Sequence, residues 1–351
     1  MAAPNPLLGT LIHGIGAFCS SIFYTPHHKV RKWSWETYWL VQATCSWLVA
    51  PVVGAILTVP HYSAVLAEAP KDAMLRSFLL GAAYGIGGTA FGVSLRYIGY
   101  ALTYSMAVGI STVLGTLIAA HDQGKLMTLL GDRAGLVVLG GMALGVVGIS
   151  LAGLAGFRKE GDLKLRPEVQ GEFALMKGIV LCVVAGVLSA VFNSSLLAGQ
   201  PIADVARDHG AGQWEGNAIY PFAMGGAFVT TTVYCLYLAV SRNTLSELVT
   251  APAQARLSLV LNYLLAAVGG LLWYLQFFFY GLGHVRMGNY DYTSWAIHMV
   301  LLIFFSNLVA VSVGEWKPCR PRTVWTIRLA LAVLIAGVLV ISYGNHLAEA
   351  G

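Results

Sequence analysis

Charge is what this sequence has least of: only 11% of its 351 residues are Asp, Glu, Lys or Arg, against 57% hydrophobic. A soluble domain carries roughly a quarter charged residues, so the composition excludes an ordinary water-facing surface. Long polar stretches are missing too, because apolar runs recur from Leu7 to Tyr343 and leave no room for a separate soluble domain. Cys19, Cys45, Cys182, Cys235 and Cys319 stand singly, without CxxC or Cys/His spacing, which argues against a disulfide framework and a zinc site. There is no Walker loop, no HExxH and no GxSxG, so ATP-driven transport and the common hydrolytic chemistries lack their signatures. Met1 to Pro6 lacks the positive stretch of a secretion signal, and the first apolar run is expected to stay in the mature protein.

What the sequence has is long apolar runs. Crossing a hydrocarbon core of about 30 Å takes about 20 mostly apolar helical residues. Ten such runs are present: Leu7–Tyr24, Trp35–Val59, Leu75–Leu95, Gly99–Ala120, Ala134–Ala155, Phe173–Leu197, Ala218–Ala239, Leu257–Gly281, Tyr292–Val313 and Val324–Tyr343. None shows the alternation of an outer-membrane barrel strand. The expected fold is therefore an all-α integral membrane protein of ten transmembrane helices.

The net charge of +5 is spread over short loops and forms no nucleic-acid patch. Of the 21 Lys and Arg residues, fifteen lie in or beside the loops after odd-numbered runs, including Lys29, Arg31, Lys32, Arg158, Lys159 and Arg242. The positive-inside rule makes those loops cytoplasmic and puts both termini on the outer, periplasmic side. The polar segment 158–172 divides the runs five and five, so residues 1–157 and 173–351 would enter the membrane in opposite senses, as inverted repeats do in secondary transporters. Gly87-Gly88 precedes Gly99 at the spacing by which Gly269-Gly270 precedes Gly281, with Phe91 answering Trp273. Other small-residue spacings, such as Gly85 and Gly87, read as close helix packing.

Polar chemistry concentrates in Gly269–Met299. On an ideal helix Trp273, Gln276, Phe277, Tyr280 and His284 share one face, and Asp291, Trp295 and His298 share a face of the next. Two such faces meeting across a cavity would suit a sugar: aromatic faces stack on its C–H surface while amide, phenol and imidazole groups replace water at its hydroxyls. Tyr274, Asn193 in the sixth run and His13 in the first join Trp273, Gln276, Tyr280 and Trp295 as candidate sugar contacts. Buried ionisable groups are costly in a bilayer and mark pathways. His298 and Asp291 are the leading candidates for carrying a coupling proton, with Glu36 in reserve; an imidazole titrates near neutral pH. Helix capping at Asp291, an ion pair at Glu36 and a backbone-satisfied imidazole at His13 or His298 are the structural alternatives.

At these residues the chain resembles the bacterial L-rhamnose-proton symporters, a family placed in the drug/metabolite transporter superfamily. The likeness runs along nearly the whole chain and is most specific in YTPHHKVRKWSWETYW from Tyr24 to Trp39 and in WYLQFFFYGLGH from Trp273 to His284. YDYTSW, His298-Met299, His13, the Arg96–Gly99 turn and Glu315-Trp316 also fit. The resemblance implies ten helices in two inverted repeats that import L-rhamnose with a proton across the bacterial inner membrane. It departs from the family pattern between Arg286 and Tyr290, where MGN replaces a longer proline-containing stretch, and at Asn193, a position that varies. The proton is the only coupling species implied, with no other cofactor; the partners are the sugar and membrane lipid, with no nucleic acid and no obligate protein partner. A uniporter or exporter of another polar metabolite, a membrane enzyme and a sugar sensor are the rival readings. Sparse titratable groups and the lack of an output domain weigh against the last two.

Overall fold

The structure, a computed structural model, describes residues 5–122, 124, 127, 131–164, 174–249, 256–288 and 293–350. Ten helices among these residues are long and apolar enough to cross a membrane. They are α1 (Pro6–Lys29), α2 (Trp35–Thr58), α3 (Lys71–Gly99), α4 (Tyr104–Asp122), α5 (Arg133–Leu163), α6 (Met176–Asp208), α7 (Gly212–Ser241), α8 (Ser258–His284), α9 (Ser294–Ser312) and α10 (Pro321–Leu347). Each overlaps one of the ten expected runs, and no strand occurs among the described residues. Many leucines and valines face outward, among them Leu57 at 77% exposure and Leu11 at 68%. A hydrocarbon solvent accommodates such a surface, whereas water would not.

Local chemistry explains several boundaries. Asn5 accepts the Leu8 backbone N–H at 3.0 Å ahead of Pro6, which opens α1. Ser34 caps α2, accepting from the Thr37 N–H. Gly99, at φ 73°, takes the left-handed conformation that turns the chain from α3 into α4. Among the described residues, two helices contain a widened π-helical segment, Thr44–Val49 in α2 and Tyr104–Val108 in α4. The first lies just before Pro51, whose missing N–H already interrupts the hydrogen-bond ladder.

α5 packs along α10 at one side, while α3 packs on α6 and α7, α1 on α8 and α9, α4 on α6 and α9, and α2 on α7 and α8. Exchanging span n with span n+5 maps these nine principal pairs onto one another, while α1–α10 and α3–α9 also touch without an equal counterpart among the described residues. Small residues permit the closest crossings: a Cβ on Gly81 of α3 would lie 1.8 Å from the Ala223 carbonyl oxygen of α7. Gly85 and Gly87 serve the packing role expected of them, Gly85 against Ala227 of α7 and Gly87 against Leu188 of α6.

Candidate functional site

The aromatic and amide face of α8 opens on a small cavity at the centre of the bundle. Trp273, Gln276 and Phe277 supply the α8 wall, Trp295 and Met299 the α9 wall, Tyr84 and Phe91 the α3 wall, with Ser20, Tyr104 and Ser189 contributed by α1, α4 and α6. Trp273 is wedged among other rings, 4.2 Å from Phe23, 5.5 Å from Trp47 and 5.7 Å from Trp39 between centroids, so its indole plane is fixed. Phe91 of the α3 wall meets it edge-on at 6.3 Å between centroids. Gln276 is 4% exposed and its Oε1 has no hydrogen-bond partner among the described residues. An unpaired amide oxygen in an aromatic-walled space is a site for a hydroxyl donor.

A second small cavity lies further along α8, lined by Asn193, Gln200, Glu215, Tyr220, Tyr280 and His284 among others. Tyr84, Phe192 and Phe277 form an aromatic layer between the two spaces, with centroids 4.3 Å (Tyr84–Phe192) and 4.8 Å (Phe192–Phe277) apart. Tyr220 anchors this layer by donating its hydroxyl to the Phe277 carbonyl at 2.6 Å. α4 is fastened beside it from two directions: Trp295 Nε1 donates to the Ser111 carbonyl at 3.0 Å and Asn193 Nδ2 to the Gly115 carbonyl at 3.1 Å.

Behind the wall, between α1, α8 and α9, lie His13 and His298, both fully buried. Their centroids are 5.6 Å apart, and each ring also meets Tyr280, at 5.3 Å from His13 and 5.5 Å from His298. Tyr280 in turn stacks on His284 at 5.8 Å, and His284 Nδ1 lies 3.1 Å from the Ser294 hydroxyl.

Against known proteins, the family model for the L-rhamnose-proton symport protein matches residues 3–347. This chain belongs to that family. Its curated relatives named L-rhamnose-proton symporter include one from Cronobacter sakazakii, 35% identical over 339 residues that make up 96% of this chain and 97% of the relative. Others, from Shigella boydii and Escherichia coli, are each 33% identical over the same shares.

For a member of the L-rhamnose-proton symport protein family, the sequence-predicted residues divide by place. Trp273, Gln276 and Trp295 line the central cavity, and Asn193 and Tyr280 line the second one. His13 lines neither, and Tyr274 turns its hydroxyl toward Gly54 of α2, where a Cβ would sit 1.9 Å from it. His298 stands with His13, apart from both cavities. Glu36 is at the opposite end of α2 from these groups, buried and accepting from Arg242 Nη1 and Thr244 Oγ1, each at 3.2 Å. Asp291 lies outside the described residues. Sequence reasoning missed Ser20, Tyr84, Tyr104 and Phe192 as wall and septum residues, because no helical face or motif in their runs distinguishes a residue that meets a cavity from one that meets another helix.

Proposed function

We propose that this chain imports L-rhamnose together with a proton across the bacterial inner membrane, with both termini in the periplasm, and that it is a carrier and not an enzyme. Residues 1–157 and 173–351 act as two inverted repeats that rock about the central cavity, so that the site opens to one side at a time. The helix pairing that survives exchange of span n with span n+5 supports this division.

The observation that carries the reading is the central cavity, lined by Trp273, Phe277, Trp295 and Gln276, whose side-chain oxygen has no hydrogen-bond partner among the described residues. The indole and phenyl faces suit the C–H surface and methyl group of a 6-deoxyhexose, and Gln276 accepts from one of its hydroxyls. Asn193 and Tyr280 would meet the sugar in the second cavity, on the far side of the Tyr84–Phe192–Phe277 layer. His298 carries the coupling proton; it is buried in the wall between α1, α8 and α9, whereas Glu36 is held in an ion pair.

In proteoliposomes, added L-rhamnose should alkalinise the external medium as it enters, and a protonophore should abolish its accumulation. Concentrative uptake that follows a sodium gradient, or counterflow without any proton movement at all, would remove the proton from the mechanism.

A further inference from the structure

Resting on the proton-symport reading, we propose that His13 and His298 together form one proton-binding site that holds a single proton between two imidazoles, outside the sugar cavity. The two residues come from different halves of the chain, α1 and α9, and each is completely buried. None of their four ring nitrogens makes a hydrogen bond of ordinary geometry among the described residues, although the His13 backbone lies within reach of the His298 ring. Buried polar atoms are ordinarily satisfied, so facing ring nitrogens without an ordinary partner leave a place for a bridging proton.

The surroundings are shaped to seat these rings. A Cβ on Gly283 of α8 would lie 2.8 Å from His13 Nε2, and one on Gly16 of α1 would lie 3.2 Å from His298 Cε1. Glycine at both places leaves room for imidazole where any larger residue would press on it.

With 5.6 Å between centroids and 72° between planes, the two rings need a rotation and a short approach before an N–H of one reaches the bare nitrogen of the other. A proton added to either ring is then shared as an N–H···N bridge. Tyr280 packs against both imidazoles, its ring centroid 5.3 Å from that of His13 and 5.5 Å from that of His298. A second proton would put two like charges side by side in a dry site, so the pair stops at one.

The groups facing this pair are Tyr280 and His284 on α8, the latter held by Ser294, and α10 meets α1 through the Thr10–Ser342 hydroxyl contact. Asp291 lies outside the described residues. Tyr280 and His284 line the second cavity, which gives the proton its approach. Gln276 lies one helical turn from Tyr280 on α8, and Trp295 one turn from His298 on α9. The proton therefore acts on the sugar by shifting these two helices, not by bonding to it.

The test compares the wild type with His13→Asn, His298→Asn and the double variant in proteoliposomes, together with histidine nitrogen spectra of the 15N-labelled wild type. Each single variant should lose accumulation driven by a pH gradient while L-rhamnose counterflow continues, and the double variant should lose no more than either single one. In the spectra, two histidines should titrate together with one proton between them. His13→Asn that still concentrates L-rhamnose like the wild type would overturn the shared site. So would a His13→Asn variant that stays coupled but needs more sugar at every pH, since that marks a sugar contact. Two histidines titrating independently in the spectra would do the same. A wild type that moves no proton would instead overturn the symport reading, and the spectra would still report on the pair.

Discussion

Replacing Gln276 with Leu removes the one amide acceptor in the central wall and keeps most of its volume. A hydrogen bond to a neutral partner is worth about 1–1.5 kcal/mol, so the half-saturating L-rhamnose concentration should rise about tenfold with the protein still folded. Uptake kinetics at fixed pH gradient check this, and an unchanged half-saturation would take Gln276 out of the sugar site. Glu36→Gln tests the opposite kind of residue. Its carboxylate is buried while its partner Arg242 is half exposed, so loss of the pair should lower the melting temperature and leave the proton dependence of uptake intact. A folded Glu36→Gln variant that no longer accumulates sugar would place Glu36 in the proton path. The α8 face was legible because a helical period of 3.6 aligns Trp273, Gln276, Phe277, Tyr280 and His284 whatever surrounds them. Tyr274 is one step out of phase, and the same periodicity sends it to α2. Tyr84 and Phe192 carried no such signal, since an aromatic in an apolar helix reads the same whether it meets lipid, another helix or a substrate.

Among the helices, the tightest contact is the crossing of α3 and α7. A Cβ on Gly81 would fall 1.8 Å from the Ala223 carbonyl and one on Gly226 2.0 Å from the Phe78 carbonyl, and a backbone carbonyl cannot step aside as a side chain does. Gly81→Ala should therefore force the helices apart and cost about 1–3 kcal/mol, read as a lower unfolding temperature and poorer folded yield in detergent. Gly14→Ala in α1 is the matched control, because nothing lies within 4 Å of its Cβ position. Equal behaviour of the two variants would mean that the α3–α7 crossing is not limiting for stability. The sequence marked Gly85 and Gly87 of α3 as packing residues but gave no sign of Gly81, Gly226 or the π-helical segments, which depend on how the helices settle against their neighbours.

For the molecule as a whole, α2 is tied at both ends to the other half of the chain. At its start the Ser34 N–H and Thr37 hydroxyl donate to Glu247 Oε2 at 2.6 and 2.8 Å, and at its end Thr58 Oγ1 accepts from Asn217 at 2.8 Å. Alternating access requires one of these closures to part while the other holds. Ser34→Cys with Glu247→Cys, oxidised in a background without the five native cysteines, should stop net L-rhamnose uptake and leave sugar binding in place. Reduction should restore uptake. Full transport by the cross-linked protein would show that this end of α2 stays closed throughout the cycle.

The sequence by itself determined that there are ten spans and approximately where each begins and ends, because the length of apolar helix needed to cross hydrocarbon is a local property of consecutive residues. It also determined which face of α8 is polar and aromatic. Only the tertiary structure decided that His13 meets His298, that Trp273 meets Phe91, and that Tyr84, Phe192 and Phe277 divide two cavities. In a bilayer, lipid tails are as apolar as the helix surfaces, so hydrophobicity does not choose which spans are neighbours. That choice falls to close fits such as Gly81 on Ala223 and to hydrogen bonds such as Trp295 on Ser111, made between residues far apart along the chain.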